Sequence, residues 1–460
     1  MRLWQRLCLL ALCAQLIACG GPGQGSEQRA GLSSSPADCS LEAQRLWLEA
    51  WMRDWYFWYQ SVPAVPMQSP GVLGPQDAMR AHFKSMLFQG SDNLPADRWS
   101  FVEDSERYQQ YYGAGMNLGF GLSVAGQAED PLPLRIRWVE PRSAAGAAGL
   151  QRGDIIVSMQ SRPAQFWKQT NDFSVLLANT VGDRLELEVL TDVGTRRVEL
   201  VASLYPVTSV FVPAVESTWL GSDGRRAGYV FLKDFIDASM EPLGRALDEL
   251  ASRGIRDLIL DLRYHGGGRL DLATRLASSF APQSLRGEVF AELVYNDKHA
   301  GAIQVERFGD PAPLPKLELD RLVVLTGPRT CSASEVLING LKSRSASLQV
   351  VSVGGKTCGK PFGFHPADAC GLQYHAVNFM VRNARGQASE LDGMTPDCVA
   401  GDDYQTPLGR AGDPLVESAR YWLSYGRCPT PVQSQAATPR KSAAQTLGVQ
   451  DGDAPRAMYR

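Results

Sequence analysis

Thr330-Cys331-Ser332-Ala333-Ser334-Glu335 follows the short apolar run Leu322-Val323-Val324-Leu325-Thr326, closed by Gly327-Pro328, and leads into a helical-looking run from Val336 to Lys342. This order predicts strand, turn, helix, with Ser332 at the mouth of the helix. There its hydroxyl would stand beside backbone N–H groups that lack intrahelical partners and can receive an anion. Ser332-x-x-Glu335 is also the spacing of a capping box. On this stretch alone the serine reads as a cap.

Two further stretches change that reading. Gly354-Gly355-Lys356-Thr357-Cys358-Gly359-Lys360-Pro361 places a lysine in a glycine-rich turn after the apolar strand Leu348 to Val353. A serine is a weak nucleophile until a base takes its proton, and a lysine kept neutral by burial can be that base. Upstream, Leu258-Ile259-Leu260-Asp261-Leu262-Arg263-Tyr264-His265-Gly266-Gly267-Gly268 reads as a buried strand entering a triple glycine, with a helix opening near Leu270. Glycines there let the backbone approach a ligand, and their N–H groups can hold an oxyanion.

Together, Asp261 to Gly268, Ser332 to Glu335, Gly359-Lys360 and Gly393-Met394-Thr395-Pro396-Asp397 resemble the carboxyl-terminal processing, or tail-specific, serine peptidases. The matching blocks run from about residue 113 to 400. The resemblance implies a multidomain protein with an α/β peptidase core of the crotonase/ClpP-like type, a PDZ domain and a Ser/Lys dyad. It assigns Ser332 as nucleophile, Lys360 as general base, and the amides of Gly267 and Ala333 as the oxyanion hole. Two departures stand out. The serine-to-lysine spacing is a few residues longer than is usual in the family, and the glutamine that commonly orients the lysine is replaced by Phe364. His365, Asp397 or a backbone carbonyl is left to position Lys360.

A formal net charge of −3 gives no basic footprint for nucleic acid. At the N-terminus, Arg2 and Arg6 precede the apolar run Leu7 to Ala18, too short to span a bilayer and shaped like an export signal. Leu16-Ile17-Ala18-Cys19 resembles a bacterial lipobox, which implies cleavage before Cys19 and acylation of its thiol; an ordinary signal peptide with an incidental cysteine is the alternative. Because glycine, not aspartate, follows Cys19, the bacterial sorting pattern favours the outer over the inner membrane, with the protein facing the periplasm. A membrane through this lipid and an adaptor lipoprotein are therefore expected partners beside polypeptide substrates with accessible C-termini.

With Cys8 and Cys13 removed and Cys19 acylated, six of the nine cysteines remain: Cys39, Cys331, Cys358, Cys370, Cys398 and Cys428. An even number in an exported chain suits disulfides. Cys331 abuts the serine and Cys358 lies close to the lysine, so bridges at one or both would stiffen the catalytic loops. Cys331 as a thiol nucleophile would need an activating neighbour such as histidine. No metal-ligand spacing occurs, and neither a metal nor another cofactor is expected.

Along the chain the expected organisation is a signal peptide over 1–18, a flexible tether over 19–38 and a small helical domain over 39–112. A PDZ domain over 113–204, the peptidase core over 205–428 and a disordered tail over 429–460 follow. In the helical region Trp47, Trp51, Trp55 and Trp58 share one helix face, which either packs into a core or rests on a membrane. The segments around Leu118-Gly119-Phe120-Gly121 and Gly149-Leu150-Gln151-Arg152-Gly153-Asp154 look like a circularly permuted bacterial PDZ domain. That resemblance implies a peptide added to a sheet edge, its carboxylate on the amides of Gly119 to Gly121. The function implied is a lipid-anchored serine endopeptidase that captures C-termini and cuts through an acyl-enzyme. The alternative is a catalytically inactive peptide-binding lipoprotein that keeps the peptidase fold.

Overall fold

The computed structural model describes residues 34–63, 74–92, 94–127, 132–212, 218–220, 224–344 and 346–430. The expected signal peptide and Cys19, most of the tether, and the tail from residue 431 lie outside the described residues.

The centre of the fold is a sheet in which Arg226–Leu232, Asp257–Asp261, Arg321–Thr326, Gln349–Gly354 and Cys398–Val399 run parallel in that order. Val210–Phe211 and Thr218–Leu220 pair antiparallel with its first strand. Strands buried on both faces read as continuous apolar runs, and this is why Leu258-Ile259-Leu260 and Leu322-Val323-Val324-Leu325 show no polar alternation. Leu258, Leu260, Leu322 and Val324 pack with the helices Met240–Ser252, Leu270–Phe280 and Ala333–Lys342, while Ile259, Val323 and Leu325 pack with Leu415, Val416 and Trp422 of the helix Pro414–Tyr425. Leu243, Leu247 and Leu250 point inward as their spacing predicts, each no more than 1% exposed. The serine helix thus starts from the carboxyl edge of a central strand, where open α/β sheets place their ligands.

A second, antiparallel sheet of Gln304–Arg307, Val289–Tyr295, Phe379–Asn383 and Phe362–Gly363 carries the chain just after Lys360. Against it lies the N-terminal region. Ser40 caps the helix Leu41–Trp55 by accepting from Ala43 N–H at 3.2 Å, and Pro75–Ser85 forms a second helix. Trp47 and Trp51 are buried with Phe83, Phe362, Phe364 and Tyr374, so this part of the tryptophan stripe serves a core. The region also supplies the strand Phe101–Asp104, paired with Leu372–His375, and is tied to the same segment by the Cys39–Cys370 disulfide. In this strand pair Phe101 stacks on His375 at 4.3 Å, a contact no local pattern reports.

In the PDZ region the sheet order is Leu122–Ala125, Arg135–Val139, Ile155–Met159, Arg184–Thr191, Gly194–Val201, which leaves Leu122–Ala125 as an edge. Met116–Gly119 pairs separately with Ser203–Pro206. The sheet is joined to the core by buried polar contacts. Lys233 Nζ meets Glu140 Oε1 at 2.8 Å, and Arg152 donates to Tyr264 Oη and to the carbonyls of Arg137 and Thr406 and pairs with Asp402.

Candidate active site

Ser332 sits where the strand Arg321–Thr326 hands over to the helix Ala333–Lys342, with φ 61° and ψ −120°. A non-glycine residue in that region is strained, and such strain persists only where the surroundings hold it. The holding group is Glu335. Its fully buried carboxylate accepts from Ser332 N–H at 2.9 Å and Lys360 N–H at 2.8 Å on one oxygen, and from Gly359 N–H at 3.0 Å and the Thr357 hydroxyl at 2.5 Å on the other. Burial pushes its pKa up, and the four donors pull it down. One carboxylate therefore binds the serine loop to the lysine loop. The Cys331–Cys358 disulfide ties the same two loops covalently, next to each candidate residue. Backbone bonds from Cys331 N–H to His265 O and from Cys358 N–H to Thr330 O, both 3.0 Å, complete the junction.

Ser332 Oγ is buried and has no hydrogen-bond partner among the described residues. Lys360 is 5% exposed, and its Nζ has no hydrogen-bond or ion-pair partner among the described residues. Burial pushes its pKa down to about 7, against small opposing pulls from Asp97 and Glu335. The two groups do not hydrogen-bond to each other; such bonds are often long before substrate arrives. His365 makes no hydrogen bond to the lysine, and its Nε2 lies 2.8 Å from the Tyr295 hydroxyl. Asp397 does not either, being engaged by Lys342 and Ser352. The face of Phe364 lies 4.4 Å from Lys360 Nζ.

The triple-glycine loop approaches the serine closely. Gly267 has φ +109°, and a methyl group there would stand 2.8 Å from Ser332 Cβ and 3.0 Å from Cys331 O. The loop is anchored by Arg263, 2% exposed, which binds Asp261 through Nε at 3.0 and 2.9 Å and Asp413 through both terminal nitrogens at 3.1 and 2.7 Å. In this conformation Gly267 N–H donates to His265 Nδ1 at 3.0 Å, and Ser334 Oγ lies 2.7 Å from the same nitrogen. Ala333 N–H, the first of its helix, has no acceptor among the described residues. For Gly267 to serve an oxyanion its bond to His265 must open.

His265 and Ser334 make a second Ser/His contact, but total burial pushes the imidazole down to about 3, which makes it a poor base near neutral pH. Cys331 is in a disulfide and is no thiol nucleophile. The sulfurs of Cys331 and Cys358 and a Glu335 oxygen lie within 4.8 Å of one another, yet bonded sulfurs do not ligate a metal as thiolates. The sequence reading missed Glu335 as a bridge, because a capping-box glutamate carries no sign of a second loop.

In the PDZ region Phe120 is buried, and its carbonyl and that of Gly121 accept from Ala145 and Glu140. Leu118 and Gly119 lie on the strand paired with Ser203 and Leu204, beside the edge strand Leu122–Ala125, whose four residues are all buried. Among the described residues no helix is long and apolar enough to cross a membrane.

Comparison with known proteins fits this geometry. Residues 226–400 match peptidase family S41, and residues 135–191 match a PDZ domain. The chain is 24% identical over 290 residues to a chloroplastic carboxyl-terminal-processing peptidase 2 of Arabidopsis thaliana, covering 62% of this chain and 52% of that one. It is 25% identical over 223 residues to the carboxy-terminal processing protease CtpA of Bacillus subtilis, covering 47% and 42%. The chain thus spans about half the length, or less, of the curated relatives it matches. An S41-type structure from Bacteroides fragilis superposes with a TM-score of 0.59 at 24% identity over 82% of this chain and 97% of its own, which speaks to the fold. The central sheet with its serine and lysine loops has the fold of peptidase family S41, it is joined to a PDZ domain, and the chain is similar to the carboxyl-terminal processing proteases.

Proposed function

We propose that this protein is a serine endopeptidase that takes hold of polypeptide C-termini through its PDZ domain and hydrolyses peptide bonds through an acyl-enzyme on Ser332. The observation that carries the reading is the junction at Glu335, which holds a strained, unpartnered serine and a buried, unpartnered lysine on two loops joined by one carboxylate. An extended peptide adds to the edge strand Leu122–Ala125 once that buried edge opens, its terminal carboxylate on the amides of Gly119 to Gly121 beside Leu118. Neutral Lys360 takes the Ser332 proton as Oγ attacks the scissile carbonyl, then gives that proton to the leaving amine. Ala333 N–H, with Gly267 N–H once it leaves His265, stabilises the oxyanion. Water attacks the ester and returns the serine.

The test is cleavage of unfolded polypeptides by purified protein. Ser332→Ala and Lys360→Ala each abolish cleavage while capture of C-terminal peptides persists, and kcat/KM rises with pH through about 7 as Lys360 loses its proton. A wild type that captures peptides and cuts none establishes the alternative, a peptide-binding protein on the same fold; the engaged Gly267 N–H is the observation that favours it. Anchoring through Cys19 to the outer membrane, facing the periplasm, completes the proposal. Incorporation of an alkyne-tagged fatty acid by wild type and not by Cys19→Ala checks it.

A further inference from the structure

Among the described residues Lys360 Nζ has no polar partner of the kind a general base ordinarily has. Of the charged groups around it, Glu335 and Asp97 are engaged elsewhere. Glu335 is taken by its four donors, and Asp97 accepts from the hydroxyls of Tyr56 at 2.6 Å and Ser100 at 2.5 Å and from the N–H groups of Trp99 and Ser100. His375 is buried, with Nε2 at 3.1 Å from Glu103 and Nδ1 without a hydrogen-bond partner among the described residues, and burial pushes its pKa down. What faces the amine is the ring of Phe364, 4.4 Å from Nζ to centroid. That ring is itself fully buried and held from the sides, edge-to-face with Phe101 at 5.8 Å and 89° and with His375 at 5.8 Å and 85°. Phe364 follows directly on the short strand Phe362–Gly363, which pairs with Phe379 and Met380.

From this arrangement, and resting on the Ser/Lys reading above, we infer that Phe364 is the positioning residue for Lys360, its ring face steering the amine and stabilising the ammonium formed when Ser332 is deprotonated. The negative face of a ring attracts N–H and ammonium groups, more strongly where water is excluded. A neutral amine is held weakly, and the ammonium that appears as the proton moves from Oγ to Nζ is held more strongly. The interaction therefore grows toward the transition state, as a catalytic interaction must. An acceptor such as a carboxylate would instead hold the lysine charged in the resting enzyme and remove the base.

The test compares Phe364→Leu, Phe364→Met and Phe364→Tyr in the full chain. Loss of the ring face lowers kcat by about tenfold with KM within about twofold, and moves the acid limb of kcat/KM down by about one pH unit. Tyr, which keeps the ring face, restores both. A second readout needs no turnover: the pH midpoint for labelling Lys360 with an amine-reactive reagent, followed by peptide mass spectrometry in a Ser332→Ala background. It falls by about one pH unit in the Leu and Met variants and stays in the Tyr variant. Midpoints unchanged in folded Leu and Met proteins overturn the inference, as does a fall in kcat that Tyr fails to rescue. If wild type cuts nothing, the peptidase reading fails while the labelling midpoint still decides the role of the ring.

Discussion

Replacing Glu335 by glutamine tests the junction that brings the two loops together. In the native protein both carboxylate oxygens are saturated, one by Ser332 and Lys360 N–H and the other by Thr357 Oγ–H and Gly359 N–H. A glutamine amide turns its NH2 toward Thr357, whose hydroxyl can accept, and leaves Gly359 N–H facing a donor. An unpaired buried N–H costs about 1–3 kcal/mol, and loss of the charge weakens the remaining bonds, so the substitution costs about 2–4 kcal/mol. Borne entirely by loop alignment, that is a fall in kcat of about 30- to 1,000-fold. The same change removes a negative charge that favours protonated Lys360, so the acid limb of kcat/KM moves below about 7. Steady-state cleavage across pH, with thermal unfolding alongside, reads both effects. A Glu335→Gln protein with native melting temperature, kcat and pH profile refutes the role given to this carboxylate.

Three other perturbations separate the parts of the site. In the native state Lys360 sheds its proton near pH 7, whereas an unfolded lysine does so near about 10.4, so between these values the unfolded chain binds more protons and stability rises with pH. Lys360→Met is therefore more stable than wild type by a few kcal/mol at pH 6, and the gap closes as pH rises toward about 10; denaturant unfolding at several pH values checks the sign. Replacing Cys331 and Cys358 together by alanine opens a loop of sequence separation 27 and costs about 3–4 kcal/mol of stability. It lowers kcat less than Glu335→Gln does, because the carboxylate still spans both loops. Arg263→Met strands Asp261 and Asp413 in the interior and costs about 3–5 kcal/mol by urea denaturation, with peptide cleavage lost as the glycine loop slackens.

What could be read from the sequence follows from how local each cause is. The strands leading to Gly266 and to Ser332 announce themselves as apolar β-branched runs closed by glycine or proline, because burial on both faces leaves no polar alternation to confuse them. The glycine-rich turns around Ser332 and Lys360 are local features, whereas the roles given to Ser332, Lys360 and Gly267 come from the resemblance to the processing peptidases. The disulfide partners, the pairing of Phe101–Asp104 with Leu372–His375 and the helix Pro414–Tyr425 depend on contacts between distant segments, and no pattern of period two or 3.6 encodes them. Phe364 reads as a missing glutamine because the processing peptidases commonly hold their lysine by a hydrogen bond from that position. Aromatic enclosure is another way to hold it, and it shows only when Phe101 and His375 arrive from other parts of the chain.

The central claim is that Ser332 becomes the nucleophile because neutral Lys360 accepts its proton. It is tested most directly by mass spectrometry after reaction with a fluorophosphonate, a reagent that marks an activated serine. The account predicts a single adduct on Ser332, forming faster as pH rises through about 7 and absent from Lys360→Ala. An adduct on Ser334, or one on Ser332 that forms equally fast without the lysine, would contradict it.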